Sequence, residues 1–160
     1  MTQIEFKIPD STPMGVLHSV LPLNSDCTEW LDREGIVYPA PGATSRFPTP
    51  REITSVLQQL HNYTFALSAD SSSGEWWATI TAANSSNQAW ASLRITNYSS
   101  DDEPHEFYFP KGWPEVIFTI VERLARHCGP LVVVDDSAVS PIVMCPNDPL
   151  QDLLQNHKAS

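Results

Sequence analysis

Residues 75–97 constrain the fold of this chain more than any other segment. Two arms, Glu75-Trp76-Trp77-Ala78-Thr79-Ile80-Thr81-Ala82-Ala83 and Gln88-Ala89-Trp90-Ala91-Ser92-Leu93-Arg94-Ile95-Thr96, flank the turn Asn84-Ser85-Ser86-Asn87. Both alternate with period two, the pattern of strands that bury one face. Setting Ala83 opposite Gln88 places Trp76, Ala78, Ile80 and Ala82 against Ile95, Leu93, Ala91 and Ala89. Trp77, Thr79 and Thr81 then meet Arg94, Ser92 and Trp90 on the other face. A slip of one residue would mix the two faces, so the segregation itself specifies the register.

The flanking sequence extends this hairpin into a meander over residues 63–109. Tyr63–Ala69 reads as a strand, Asp70-Ser71-Ser72-Ser73-Gly74 as its turn, and His105–Phe109 as a fourth strand after a polar loop. A five-residue turn at 70–74 would put Phe65 and Leu67 beside Trp77; a one-residue bulge would return them to the core. Two helices bracket the meander. Thr49-Pro50-Arg51-Glu52 combines an N-cap, a proline at the first helical position and a capping box, and Ile53, Val56, Leu57 and Leu60 form the stripe of a helix over 50–61. Pro114, the stripe Val116, Ile117, Ile120, Val121 and Leu124, and Gly129-Pro130 define a helix over 114–128. Leu131–Val134 and Pro141–Cys145 read as further strands and Pro149–Gln155 as a weak closing helix. Ile4, Phe6 and Ile8 suggest a strand over 3–8. Residues 9–50 read as a Pro-rich irregular strap, whose best extended piece is Gly35-Ile36-Val37-Tyr38.

The expected architecture is a single α+β domain over residues 1–160, with a mainly antiparallel sheet of five or six strands. Both main helices pack on one face, where the alanines of the hairpin let them approach closely.

Charge narrows the possible partners. Nineteen acidic residues against nine basic ones give a net charge of −10, and the chain lacks the basic stripe that displaces counterions from nucleic acid. Anionic membrane surfaces are disfavoured for the same reason, and no apolar run approaches a membrane span. A protein partner, basic if charged, is the compatible class. The sequence does not determine oligomeric state. The first residues lack the basic-then-apolar layout of a secretory signal. Cys27, Cys128 and Cys145 are odd in number and lack metal spacing, which fits free thiols in the cytoplasm.

Chemistry-bearing motifs are sparse. Asp101-Asp102-Glu103 and Asp135-Asp136-Ser137 fit a solvated loop and a turn. The five histidines are scattered, and no nucleophile elbow or phosphate-binding loop occurs. Neither a catalytic residue, a cofactor nor a metal site is expected. The candidate binding residues are Trp77, Trp90 and Arg94, with Tyr108 if its strand keeps phase, and Trp113 in the turn Lys111–Glu115. Tryptophan, tyrosine and arginine are the residue types enriched at interface hot spots. Two bland readings compete: the 9–50 strap covers this face, and Trp113 staples the start of its helix. The preferred function is a non-enzymatic protein-binding module with the properties of an inhibitor or immunity protein. The alternative is a ligand-binding or catalytic pocket under the strap that uses Asp135 or His105.

Overall fold

In the computed structural model the described residues are 17–23, 25–36, 45–83, 89–135 and 141–145; for Ser25, Asp26 and Asp135 the backbone alone is described. The expected strand 3–8, the turn 84–87 and the helix 149–155 lie outside them. The elements are β1 (His18–Pro22), α1 (Ser25–Glu34), α2 (Pro50–Gln59), β2 (Tyr63–Asp70), β3 (Glu75–Ala82), β4 (Trp90–Ile95), β5 (Phe107–Gly112), α3 (Pro114–Cys128), β6 (Leu131–Asp135) and β7 (Ile142–Met144). The strands form one seven-stranded sheet in the order β2-β3-β4-β5-β1-β6-β7, and every neighbouring pair is antiparallel. The protein is thus an α+β domain, with seven strands among the described residues against the five or six expected.

The hairpin pairs in the expected register: Trp76 faces Ile95, Ala78 faces Leu93, Ile80 faces Ala91, and Ala82 donates its N–H to the Ala89 carbonyl at 2.8 Å. Trp76, Ile80, Leu93 and Ile95 are buried under the helices, each contributing about 1.5–3 kcal/mol. The open question at β2 is settled by an Asp70–Glu75 rung, which leaves four residues in the turn. Phe65 then faces Ile80 and Leu67 faces Ala78, so both point to the helix side. Only Phe65 reaches the core; Leu67, beyond the reach of α2, remains 38% exposed.

α2 and α3 pack against each other on this face, α2 over β2 and α3 over β3 to β7. Their ends follow the sequence. Thr49 accepts the Glu52 N–H and Glu52 accepts the Thr49 N–H, closing the capping box. α3 starts at Trp113, whose N–H donates to the Trp90 carbonyl and whose carbonyl accepts from Val116 and Ile117. Its ring packs against the core.

The strap requires correction. Residues 18–22 form β1, inserted between β5 and β6, and 25–34 form α1. Gly35 and Ile36 do not extend; their N–H groups donate to Asp32 and Leu31 and end the helix, with Gly35 at φ 73° as such a cap requires. α1 lies on the opposite face from α2 and α3, where Leu23, Cys27 and Leu31 bury Val132 and pack on Val134 and Val143. Among the described residues helices therefore cover both faces, on the second face the β1–β6–β7 half.

Gly112 sits where β5 passes close to Ala91 of β4, beneath Ile117 of α3. A Cβ there would lie 2.6 Å from the Ala91 Cβ and 2.8 Å from its Cα, contacts that force backbone to move. Gly112→Ala is therefore expected to destabilise the fold by about 1–3 kcal/mol in urea unfolding. Gly35→Ala, which meets no atom within 4 Å, should cost only the strain of its positive φ, about 1 kcal/mol.

Candidate functional site: the open half of the sheet

The second face of β2–β5 is built by alternation. Its rungs are Ser68-Trp77-Arg94-Tyr108, Ala66-Thr79-Ser92-Lys111 and Thr64-Thr81-Trp90. The structure thus brings Trp77, Trp90, Arg94 and Tyr108 to one face; Trp113, bonded through its N–H to the Trp90 carbonyl, packs against the core at the start of α3. The described part of the strap covers the neighbouring half-sheet through α1, and on the tryptophan half Trp90 and Tyr108 are half-buried. Trp77 is 38% exposed, and Arg94 is exposed as well.

Lys111 belongs to this face too, which the sequence analysis missed. Tyr108 and Lys111 are three apart, so in a regular strand they would point to opposite sides. Ser92 pairs with Lys111 while Arg94 pairs with Tyr108, so β5 spends three steps where β4 spends two. The extra residue is a bulge at the Phe109-Pro110 step. It returns Lys111 to the outer face and sends Gly112 inward. Proline inside a strand was the available signal, because its missing N–H is tolerated at bulges and edges. Arg94 and Lys111 make no hydrogen bond or ion pair among the described residues. The centre of the face therefore carries two uncommitted cations amid hydroxyls and indole rings, with Asp70 and Glu75 at one end.

The acidic loop is occupied with the fold. Tyr98 donates to Asp101 at 2.6 Å and Arg51 to Asp102 at 2.7 Å, which holds the Asp102 carboxyl below its ordinary range and raises the Tyr98 phenol. His105 is buried. Its Nδ1 lies 2.6 Å from the Glu103 carbonyl, which can only accept, so Nδ1 carries the proton and Nε2 accepts the Ser99 N–H at 3.2 Å. Asp135 sits elsewhere, on the rung with His18, which pairs in turn with Phe109.

His127 and Cys128 border an open hollow with Ser45, Arg46 and Gly129. Burial pushes the Cys128 thiol up to about 12, so it holds its proton and stays a poor nucleophile. Arg46 is the organising group here. It binds both Glu52 oxygens at 2.7 Å and donates to the His127 carbonyl at 3.4 Å, while its backbone N–H reaches the Cys128 carbonyl. A cation thus closes the C-terminus of α3 while its partner carboxylate caps the N-terminus of α2, both favoured by the helix dipoles. Among the described residues no three His, Cys, Asp or Glu side chains gather as metal ligands, and no helix is long and apolar enough to cross a membrane.

No family model matches the chain, and neither a curated protein nor a solved structure matches it.

The Arg46 hydrogen bonds, reinforced by the Thr49 N–H and opposed by burial, hold the Glu52 carboxyl down at about 2, against 4.5 for the free group. A depressed carboxyl stabilises the fold above pH 4.5 and loses that contribution as pH falls toward 2. Because Arg46 is partly exposed, the effect is about 1 kcal/mol at most. Glu52→Gln keeps a capping-box side chain but removes the charge. Urea unfolding at stepped pH should show the wild type losing this increment between pH 4.5 and 2, and the variant lacking it throughout.

Proposed function

We propose that this protein is a binding module that grips a protein partner with the open half of its sheet. The observation that carries the reading is the face shared by Trp77, Trp90, Arg94, Tyr108 and Lys111, of which Trp77, Arg94 and Lys111 are exposed among the described residues. Rigid aromatic rings lose little entropy on binding, and arginine combines stacking with directed hydrogen bonds. The local charge refines the partner. Net charge alone favours a basic protein, but the centre of this face is cationic. A complementary partner offers a carboxylate or carbonyl between Arg94 and Lys111 and keeps its basic surface for the acidic flanks of the domain. An inhibitor or immunity-type role fits these properties, since such a protein acts by occupying another's surface and needs no chemistry of its own.

A photo-crosslinking amino acid at Thr79 or Ser92, introduced in the native host, should capture one discrete protein. Arg94→Glu and Lys111→Glu should abolish the adduct. The same probe at the exposed Gln58, on the opposite side, should not give it. Equal capture from position 58, or none from 79 and 92, would count against the reading. Trp77→Ala is expected to weaken binding of the captured partner by about 2 kcal/mol while changing fold stability by less than about 1 kcal/mol, the scale of one cross-strand pair. Titration and thermal melting of the same variant measure the two effects.

A further inference from the structure

Among the described residues the two edges of the sheet are unlike. β7 is three residues long, whereas β2 runs for eight without a register shift. Edge strands are normally blunted by lysine, proline, bulges or brevity. β2 has none of these, and residues 61–69 contain no Lys, Arg, Asp or Glu.

The hydrogen-bond phase of this edge is fixed. Ala83 donates to the Asn62 carbonyl at 2.7 Å, so Asn62 and, by alternation, Thr64, Ala66 and Ser68 bond inward to β3. The N–H and C=O groups of Tyr63, Phe65, Leu67 and Ala69 point outward.

We infer that β2 pairs antiparallel with β2 of a second copy of this chain, about a two-fold axis through Ala66, joining two sheets into one. Only registers that set outward groups against outward groups can bond, which requires an axis on a residue. The axis at Ala66 pairs Tyr63 with Ala69 and Phe65 with Leu67, each pair exchanging two bonds. On the helix side it lays Leu67, 38% exposed, against Phe65 of the other copy. It sets Asp70 opposite Asn62 and therefore opposes no two carboxylates, although the chain carries −10. Shifting the axis to Leu67 would give up the Phe65–Leu67 pair. Shifting it to Phe65 would push Asp70 past the end of the ladder. A copy of this chain thus fits an edge where like charge would otherwise oppose association.

Disulfide trapping tests the register. Ala66 lies on the axis in a non-hydrogen-bonded pair, where Cα atoms stand about 4.5 Å apart, within disulfide range. In a Cys145→Ser background under oxidised glutathione, Ala66→Cys should form a covalent dimer. Thr64→Cys and Ser68→Cys should each fail alone but cross-link when mixed. Sedimentation of the full chain should show a concentration-dependent dimer. Leu67→Pro, which removes only an outward N–H, should be monomeric with little change in melting temperature; Leu67→Lys provides a second variant should the proline perturb folding. A wild type that stays monomeric at high concentration overturns the proposal, as does a dimer that both Leu67 variants leave intact. Slow exchange of the Phe65 and Leu67 amides in a monomer would also overturn it, since another segment would then hold the edge.

Discussion

The depth of the contact between α3 and the sheet sets the geometry of everything else. Ala78, Ala89, Ala91 and Gly112 are buried and offer little side-chain volume, and a Cβ on Gly112 would stand 3.2 Å from the Ile117 side chain of α3. Close approach lets one fifteen-residue helix touch strands β3 to β7. It also places the end of α3 beside the start of α2, where Arg46 binds both. The opposite face inherits the consequence. With bulk committed to Trp76, Ile80 and the helices on one side, the alternating positions on the other are free to carry hydroxyls, indoles and cations. Whether a ring is core or surface in this hairpin is decided by parity alone: Trp76 is buried and its neighbour Trp77 is open.

Much of this was legible in the sequence because it rests on local signals. The capping box at Thr49–Glu52, the proline-to-glycine bounds of α3 and the segregated faces of the hairpin each declare themselves within a few residues. The missing parts had the opposite character. α1 offers only Cys27, Trp30 and Leu31 as an apolar face, within a proline-punctuated stretch whose net signal is irregular. Its burial comes from Val132, more than a hundred residues away. β1 is bracketed by a histidine and a proline, and its pairing with β5 and β6 cannot be inferred from its own composition. At the site, the tryptophans and Arg94 followed from period two, but Lys111 did not, because a bulge changes the count. Trp113 shows two signals on one residue. Its residue type matched a hot spot, while its position before Pro114 placed it at a helix entry.

Charge is distributed unevenly over the domain, and the unevenness organises its surfaces. Several acidic groups are spent on the fold: Glu52 holds Arg46, Asp102 holds Arg51, and Glu122 binds Arg126 along α3. Residues 61–69 of the edge carry no Asp, Glu, Lys or Arg, and the centre of the outer half-sheet carries Arg94 and Lys111. A molecule of strong overall negative charge thus presents two surfaces that do not share its sign. Long-range repulsion limits nonspecific association, while these two surfaces remain available at short range.

The insertion of β1 between β5 and β6 has a consequence for how the chain reaches this state. The strand nearest the start of the described chain completes its ladder only with residues 108–109 and 131–135. During synthesis the meander and α2 can pair with sequence neighbours as they emerge, but β1 has no partner until most of the chain has been made. Closing such a loop costs entropy before any contact repays it, and topologies of this kind fold slowly. Until β6 arrives, Val20 and the apolar side of α1 face water, and the half-finished sheet exposes β5 as a second bare edge. The risk of misassembly is therefore highest in the chain that is nearly, but not yet, complete.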